Sequence, residues 1–287
     1  MKIILISGLS GSGKSVALGL LEDTGYYCVD NLPLELLPDL VRHHIAGGGG
    51  QNLAVSVDIR SRPNIGRLRV QSRLLRQGGH RVELLFLEAA EDVLLRRFSE
   101  TRRSHPLAAE NGLSLQESLV RERKWLWPLR EWAYCIDTSK MNAQQLRYTV
   151  QQWLDSGRNG LMVVLESFGF KYGVPSNIDF LFDMRSLPNP YYDTALRPFN
   201  GLDEPVRQYL AARPETDEMI GDIEQFMLRR LAQSAVESRS YVTIGIGCTG
   251  GQHRSVYVAE ALAERLRRHY QVLVRHRQLV PPPREAG

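Results

Sequence analysis

The stretch that most constrains this chain is a glycine-rich loop at residues 8–15, GLSGSGKS, which matches the spacing G-x-x-x-x-G-K-[ST]. A run of aliphatic residues typical of a buried strand (residues 3–6) precedes this loop, and helix-forming sequence follows it. Glycines at this spacing let successive backbone N–H groups turn inward around an oligophosphate. The lysine then reaches the β- and γ-phosphate oxygens, and the next hydroxyl ligates Mg²⁺. The loop therefore predicts that the chain binds a nucleoside triphosphate.

The predicted ATP-binding residues are Gly8, Leu9, Ser10, Gly11, Ser12, Gly13, Lys14 and Ser15. Lys14 and Ser15 are also predicted to take part in catalysis, with Ser15 as a ligand of Mg²⁺. Asp58 follows the apolar run LAVSV and is predicted to be the second metal ligand and the catalytic carboxylate. Asp30 also ends a strand and is the competing candidate. Either carboxylate would alternatively cap a helix or bind a neighbouring loop.

At 287 residues the chain is longer than one core usually supports, so we expect two domains. A polar stretch at residues 155–160 separates a P-loop nucleotide-binding domain (residues 1–155) from a second α/β domain (residues 161–287). No apolar run reaches membrane-spanning length and no signal peptide precedes the first strand, which predicts a cytoplasmic protein without a membrane partner. Three widely spaced cysteines predict neither a disulfide framework nor a structural zinc site.

Strands and helices alternate in both halves, which predicts parallel, doubly wound sheets with ligands at the carboxyl ends of the strands. Asp30, Asp58 and Glu88 fall at such ends in the first half. The predicted first-half elements include strands at residues 3–6, 26–31, 53–57, 82–87 and 134–137, helices at 91–103 and 115–130, and a helix capped by Thr138 or Ser139. In the second half, strands are predicted at residues 162–167, 179–184, 241–247 and 272–275, and helices at 204–213, 217–234 and 255–270.

The helix at residues 91–103 resembles the helix that carries arginines into the lid of nucleoside monophosphate kinases. In that resemblance Arg102 and Arg103 would stabilise the charge of a transferring phosphate. The later strand that ends in Asp137–Ser139 fits the same pattern. A small-molecule kinase is therefore an alternative function, and a solvated basic helix face is the structural alternative.

The second half repeats the strand–glycine loop–helix design at residues 241–255, which predicts a second site for an anion. An arginine in this loop would donate hydrogen bonds to two phosphate oxygens at once. Asp183 and Arg185 lie at the end of the strand predicted at residues 179–184, in the same domain. They would therefore either reach the same sheet edge as this loop or pair with each other. The predicted phosphate or sugar-phosphate ligands are Asp183, Arg185, Cys248, Thr249, Gly250, Gly251, His253, Arg254 and Ser255.

The same loop fits the Cys-x5-Arg-Ser pattern of cysteine-dependent phosphatases. A cysteine at a helix N-terminus beside Arg254 would have a lowered pKa and act as a nucleophile. A thiol phosphatase that uses Cys248 is therefore an alternative, although Gly247 stands where that class has a histidine. A buried structural cysteine is the other alternative.

Taken together, these motifs resemble the RapZ/YvcJ family of bacterial P-loop nucleotide-binding proteins over almost the whole chain. The matching stretches are GLSGSGKSVAL, YCVDNLP, DIR at 58–60, IDTS at 136–139, ESFGFKYG at 166–173, the FD and LPNP pairs within 182–190, and IGCTGG at 246–251. The resemblance implies ATPase and GTPase activity and a C-terminal domain similar to phosphofructokinase folds. It also implies a guanine-nucleotide contact at Asp58, Ile59, Arg60 and Ser61.

The resemblance further implies an oligomeric (tetrameric) adapter that senses an amino-sugar phosphate and delivers small regulatory RNA to an endoribonuclease. From Arg239 onward the chain has eight arginines against three acidic residues, which favours a polyanionic partner. The predicted RNA contacts are Arg239, Arg275 and Arg277, with Arg265, Arg267 and Arg268 as further candidates. Two positions depart from the family: residues 279–284 replace its Lys/Arg-rich tail, and Tyr191 stands where the family has histidine.

Overall fold

The computed structural model describes residues 1–48, 50–61, 65–155, 161–236 and 241–279. The chain divides into two compact units, Met1–Asp155 and Ser156–Gly287. Each unit is built on a parallel β-sheet with helices packed against it. The predicted α/β class is therefore confirmed, and the second α/β domain is present.

The N-terminal unit contains a five-stranded sheet in the order β2-β3-β1-β4-β5. Its strands are β1 (Lys2–Gly8), β2 (Tyr27–Val29), β3 (Leu53–Ser56), β4 (Arg81–Glu88) and β5 (Tyr134–Asp137). Its helices are α1 (Lys14–Asp23), α2 (Leu37–Ala46), α3 (Leu68–Gln77), α4 (Glu91–Thr101), α5 (Pro106–Asn111), α6 (Leu115–Leu126) and α7 (Ala143–Asp155).

Strand β1 lies in the centre of this sheet and is buried on both faces. Its residues Ile3 and Leu5 pack in one cluster with side chains from α2, α3, α4 and α6. Ile4 and Ile6 alternate to the opposite face, where α1 and α7 lie against each other. Because both faces are covered, the strand is continuously apolar, as central strands of parallel sheets are. This position brings the carboxyl end of β1 and the loop after it to the middle of the sheet edge.

Two local predictions in this unit are wrong. Helix α6 ends at Leu126 instead of continuing to residue 130, and a 3₁₀ helix (Trp127–Trp132) follows it. Pro128 explains the change, because proline cannot donate the N–H that an α-helix needs. Helix α7 is capped by Asn142, whose side chain accepts the N–H of Gln145 at 2.8 Å, and not by Thr138 or Ser139.

The C-terminal unit contains a four-stranded parallel sheet in the order β7-β8-β6-β9. Its strands are β6 (Met162–Gly169), β7 (Phe180–Asp183), β8 (Tyr241–Cys248) and β9 (Gln271–His276). Its helices are α8 (Glu204–Ala211), α9 (Pro214–Val236) and α10 (Arg254–Leu266). Apolar residues of β6 and β8 pack against α9 and α10 in one core.

The end of β6 lies directly beneath the loop that follows β8. A Cβ atom placed on Gly169 would lie 2.7 Å from the carbonyl carbon of Gly250 and 2.9 Å from the backbone nitrogen of Gly251. Backbone at these distances cannot move aside without displacing the loop. Gly169 is therefore required by this close approach.

We expect Gly169→Ala to lower the free energy of unfolding of the C-terminal unit by about 1–3 kcal/mol, because the new methyl group overlaps backbone atoms. All four tryptophans lie in the N-terminal unit, so urea unfolding followed by far-UV circular dichroism and by tryptophan fluorescence separates the two units. The circular dichroism transition should move to lower urea while the fluorescence transition stays in place.

The matched control is Gly221→Ala in α9, where the nearest atom to the added Cβ would lie at 3.8 Å. This change should stabilise the unit by up to about 1 kcal/mol through helix propensity. Unfolding of Gly169→Ala at the same urea concentration as the unsubstituted protein would contradict the packing argument.

Candidate functional site

The loop between β1 and α1, which we call the N-terminal glycine loop (residues 8–15), depends on backbone conformations that only glycine adopts easily. Gly8, Gly11 and Gly13 have φ angles of +138°, +82° and +103°. A Cβ atom on Gly8 would also lie 2.0 Å from the carbonyl oxygen of Leu87 in β4. Glycine is therefore required in this motif by the backbone conformation and, at Gly8, also because a side chain would not fit.

The first two carbonyl groups of the loop are held by its own lysine. Lys14 Nζ donates to the carbonyl oxygen of Gly8 at 2.8 Å and to that of Leu9 at 3.1 Å. An ammonium group has three N–H donors, so a third remains for a ligand. Burial lowers the pKa of Lys14, while the charges of Glu122 and Asp58 act in the opposite direction.

The next carbonyl groups are held by residues that sequence analysis did not identify as part of the site. Arg97 of α4 donates to the carbonyl oxygen of Gly11 at 3.0 Å, and the Thr138 hydroxyl donates to that of Ser12 at 3.0 Å. Arg97 also donates to the Thr138 hydroxyl and carbonyl, at 3.0 and 2.8 Å. The sequence signals were present, in the Arg-Arg pair of α4 and in IDTS, but nothing in them indicated these partners.

The backbone N–H groups of the loop are the groups that a phosphate would contact. Among the described residues, no acceptor takes the backbone N–H of Gly11, Gly13, Lys14 or Ser15. The N–H of Ser10 is different, because the carboxylate of Glu122 accepts it at 2.9 Å. Four N–H groups at the start of a helix form a site for phosphate oxygens.

Asp58 lies at the end of β3 and is buried. Its Oδ1 accepts the N–H of Arg60 at 2.9 Å, and the Arg60 guanidinium lies 3.6 Å from Oδ2. With the amide nitrogen of Asn31 placed toward Asp58 and its oxygen toward Arg60, the nitrogen donates to Oδ2 at 2.9 Å and the oxygen accepts from Arg60. The competing candidate Asp30 is exposed. The carboxylate of Asp58 is thus fixed in place by two neighbours.

The oxygen ligands near the loop are of the kind that Mg²⁺ prefers. Ser15 supplies a hydroxyl and Asp58 a carboxylate, and Mg²⁺ typically uses one or two such oxygens together with phosphates and water. In the part of the chain that the structure describes, no cluster of three or more His, Cys, Asp or Glu residues would hold a metal ion alone. A metal here would therefore depend on the phosphates of a nucleotide.

The remaining residues of the implied guanine-nucleotide contact follow Asp58 in a short 3₁₀ helix, Ile59–Ser61. The Ile59 side chain is completely buried in the apolar core, so only its backbone is available to a ligand. The Arg60 side chain is more than half exposed. Of these residues, Arg60 is the one with a charged group that faces solvent.

A cavity of about 440 Å³ opens beside the N-terminal glycine loop. One wall comes from the end of α4 and includes Arg97, Phe98 and Arg103. The opposite wall comes from Thr138 and residues 141–146. Arg103 thus lines this cavity, whereas Arg102 takes a left-handed conformation at the end of α4, with a φ of +52°.

The C-terminal glycine loop (residues 248–255) joins β8 to α10. Cys248 is buried, and its sulfur accepts the N–H of Gly251 at 3.2 Å and lies 3.1 Å from the Ser255 hydroxyl oxygen. Thr249 Oγ1 lies 3.4 Å from an Arg254 nitrogen. The thiol thus contributes to the internal packing of the loop.

Arg254 and His253 are buried polar residues with unused hydrogen-bonding atoms. Arg254 is 5% exposed and donates through Nη1 to the carbonyl oxygens of Arg185 and Leu187, at 2.9 and 3.0 Å. Its Nε and the Nε2 of His253, which is 8% exposed, have no partner among the described residues. Burial lowers the pKa of His253. Buried nitrogens without a protein partner are candidate contacts for a ligand.

Asp183 and Arg185 form a pair with each other. Arg185 donates from Nε to Asp183 Oδ1 at 3.0 Å and from Nη2 to Oδ2 at 2.7 Å, and its guanidinium stacks on Phe170 at 4.3 Å. These hydrogen bonds lower the pKa of Asp183. The second of the two interpretations of this sequence, pairing across a turn, describes the geometry.

The arginines predicted to contact RNA lie in different environments. Arg277 pairs with Glu166 at 2.9 Å, and Arg265 pairs with Glu224 at 3.2 Å. Arg275 lies in β9 and is half-buried, and Arg267 and Arg268 follow α10 and are exposed. Arg239 lies outside the described residues.

Comparison with known proteins identifies the family. Residues 1–158 match the family model described as the RapZ-like N-terminal domain. Residues 161–280 match that of the RapZ C-terminal domain. The chain belongs to the RapZ family.

Relatives of this RapZ-family chain carry the name nucleotide-binding protein. One from Neisseria meningitidis serogroup C is 65% identical over 278 residues, covering 97% of this chain and 98% of the relative. One from Burkholderia thailandensis is 51% identical over 285 residues, covering 96% and 95%. Among solved structures, shikimate kinase from Bacteroides thetaiotaomicron has a TM-score of 0.37 at 14% identity, covering 53% of this chain and 96% of that chain. No described helix of this RapZ-family chain is long and apolar enough to cross a membrane.

In this RapZ-family protein we expect Thr138→Val to lower the free energy of unfolding of the N-terminal unit by about 1–3 kcal/mol. The change keeps the shape of the side chain but leaves a loop carbonyl and an Arg97 donor without a partner. Urea unfolding followed by tryptophan fluorescence reports on this unit. Thr24→Val is the control, because its hydroxyl bonds only to carbonyls at the end of α1 and its loss should cost less. Equal effects of the two changes would contradict a role of Thr138 in holding the loop.

Proposed function

We propose that the N-terminal unit binds ATP at residues 8–15, contacts a guanine nucleotide at residues 58–61 and hydrolyses these nucleotides slowly, in a regulatory role. The observation that carries the proposal is the set of four backbone N–H groups without an acceptor among the described residues, placed at the start of α1 beside Lys14. The name shared by the relatives supports the same ligand class.

The residues have separate roles in this proposal. The N–H groups bind phosphate oxygens, and Lys14 turns its third donor to the β- or γ-phosphate. Ser15 and Asp58 would hold Mg²⁺, which would neutralise the phosphate charge when bound. The cavity beside the loop receives the nucleoside, within the usual volume range of ligand pockets. Asp58 accepts hydrogen bonds from Arg60 and Asn31, which fix the position of its carboxylate.

A small-molecule kinase is the alternative that one observation favours. Arg103 lines the cavity beside the loop, where a lid arginine would approach a transferring phosphate. A kinase transfers the γ-phosphate to an acceptor, whereas an NTPase releases it to water. Radiolabelled γ-phosphate recovered only as free phosphate in the presence of candidate acceptors excludes the kinase.

We expect Lys14→Ala to weaken binding of ATP and GTP by roughly a hundredfold, since it removes a charge-assisted hydrogen bond to phosphate. Isothermal titration with Mg²⁺ present measures this change, and phosphate release should fall with it. Lys124→Ala is the control, because Lys124 is exposed on α6 and its replacement should change neither quantity. Unchanged nucleotide binding by Lys14→Ala would refute the proposed site.

We also propose that the C-terminal glycine loop binds a phosphorylated metabolite, an amino-sugar phosphate, without covalent chemistry. Support comes from the buried, unpartnered nitrogens of Arg254 and His253 beside the loop. The alternative, a phosphatase, requires Cys248 as a nucleophile. Its sulfur instead lies inside the loop and accepts the N–H of Gly251, and its side chain is buried. Burial of the sulfur, which keeps it from an incoming phosphate, favours binding over catalysis.

We expect Arg254→Lys to weaken binding of an amino-sugar phosphate by about tenfold or more, because the lysine ammonium cannot donate the two parallel hydrogen bonds that a guanidinium can. The same amino sugar without phosphate serves as the reference ligand in titration calorimetry. Arg229→Lys, on the exposed side of α9, is the control. Cys248→Ser should keep the binding, and loss of phosphate release from the sugar phosphate in that variant would instead establish the phosphatase.

RNA binding, delivery of the RNA to an endoribonuclease and assembly into a tetramer stay proposals that rest on the family resemblance. The ion pairs of Arg277 and Arg265 reduce the charge that these residues offer to phosphates. The exposed Arg267 and Arg268 are then the most available of the predicted contacts among the described residues.

A further inference from the structure

A buried carboxylate lies against the N-terminal glycine loop and is not explained by phosphate binding. Glu122 of α6 is 0% exposed and accepts three hydrogen bonds. Its Oε2 accepts the N–H of Ser10 at 2.9 Å and lies 3.1 Å from Nε2 of His105, and its Oε1 accepts the Ser10 hydroxyl at 2.7 Å. A buried carboxylate is costly unless it is paired in this way, so the arrangement needs a reason.

The histidine is neutral in this arrangement. His105 is 1% exposed, and its Nδ1 accepts the N–H of Leu107 at 3.1 Å. The ring proton therefore lies on Nε2, which donates it to Glu122. With a neutral histidine beside it, the carboxylate keeps its full negative charge. Burial opposes that charge, but the hydrogen bonds and the nearby Lys14 outweigh burial and lower the pKa of Glu122.

The position of this charge along the loop follows from Lys14. A lysine in this motif reaches the β- and γ-phosphates, and Lys14 Nζ lies 3.1 Å from the carbonyl oxygen of Leu9, the residue before Ser10. Ser10 and Glu122 are therefore at the end of the loop where the terminal phosphate of a nucleotide would lie. Glu122 also takes the Ser10 N–H, so that donor is not available to the phosphate.

We propose that Glu122, oriented by His105 and Ser10, sets the selectivity of the loop between triphosphate and diphosphate by placing a fixed negative charge at the γ-phosphate end. The proposal rests on nucleotide binding at residues 8–15. A triphosphate carries one more negative charge than a diphosphate, and that charge lies nearer to the carboxylate. The carboxylate therefore disfavours the triphosphate more than the diphosphate and lowers the ratio of their affinities.

Glu122→Gln separates charge from hydrogen bonding. The amide oxygen of glutamine, in the place of Oε2, still accepts from Ser10 N–H and from His105, and the amide nitrogen, in the place of Oε1, donates to the Ser10 hydroxyl oxygen. The loop should keep its geometry while the charge disappears. We expect the ratio of triphosphate to diphosphate affinity to rise about fivefold, because the charge that opposes the terminal phosphate has been removed.

Ser10→Ala tests the same charge by a change that should move the affinity ratio in the opposite direction. It removes one hydrogen bond from Oε1 and leaves the carboxylate in place but less compensated. The affinity ratio should then fall about twofold. Glu83→Gln is the matched control, since Glu83 is a buried carboxylate in β4 that pairs with Arg81 and Lys2 at the opposite end of the strand from the loop. The ratio should stay unchanged there.

The measurement is isothermal titration of the full chain with ADP and with a non-hydrolysable imido analogue of ATP at one fixed Mg²⁺ concentration. A rise for Glu122→Gln with no change for Glu83→Gln supports the proposal. Equal changes in the two affinities, or none, overturn it and indicate a purely structural carboxylate. If Glu122→Gln does not fold, Ser10→Ala decides, and a ratio that is unchanged or higher there overturns the proposal. Absence of binding by the unsubstituted protein would instead overturn the nucleotide site itself.

Discussion

Backbone N–H groups that have no protein acceptor are the constraint on which the N-terminal unit depends. A loop that presents four N–H groups without an acceptor among the described residues has to be held in that conformation by other groups. That support comes from side chains that bind the loop carbonyls: Lys14 from α1, Arg97 from α4 and Thr138 after β5. The central sheet matters because it brings these elements to one edge.

The two glycine loops meet the same requirement in different ways. In the C-terminal loop the Gly251 N–H is taken by the Cys248 sulfur, and the backbone rests on Gly169. In that loop the buried side chains of Arg254 and His253 also carry nitrogens without a partner among the described residues. The C-terminal loop thus adds buried side-chain nitrogens to its main-chain N–H groups, although both loops follow a buried parallel strand and precede a helix.

Sequence analysis predicted the parts of this protein that depend on local patterns. The strand–loop–helix at residues 8–15 and the strand at 134–137 were predictable because spacing and apolar runs are local properties. Glu122 and Thr138 were missed because their loop partners are 112 and 126 residues away. The true cap of α7 was also missed, since several polar residues precede that helix and only the geometry shows that Asn142 makes the bond. Long-range polar contacts leave no periodic signal.

The separation between Ser12 and Thr138 has a consequence for synthesis of the chain. The glycine-rich motif leaves the ribosome well before the hydroxyl that holds the Ser12 carbonyl, which is 126 residues further on. A nascent chain therefore carries the motif long before it has all the side chains that hold the loop. Since Glu122 and Arg97 also arrive late, the complete set of side chains around the loop is present only after the chain has been synthesised as far as Thr138.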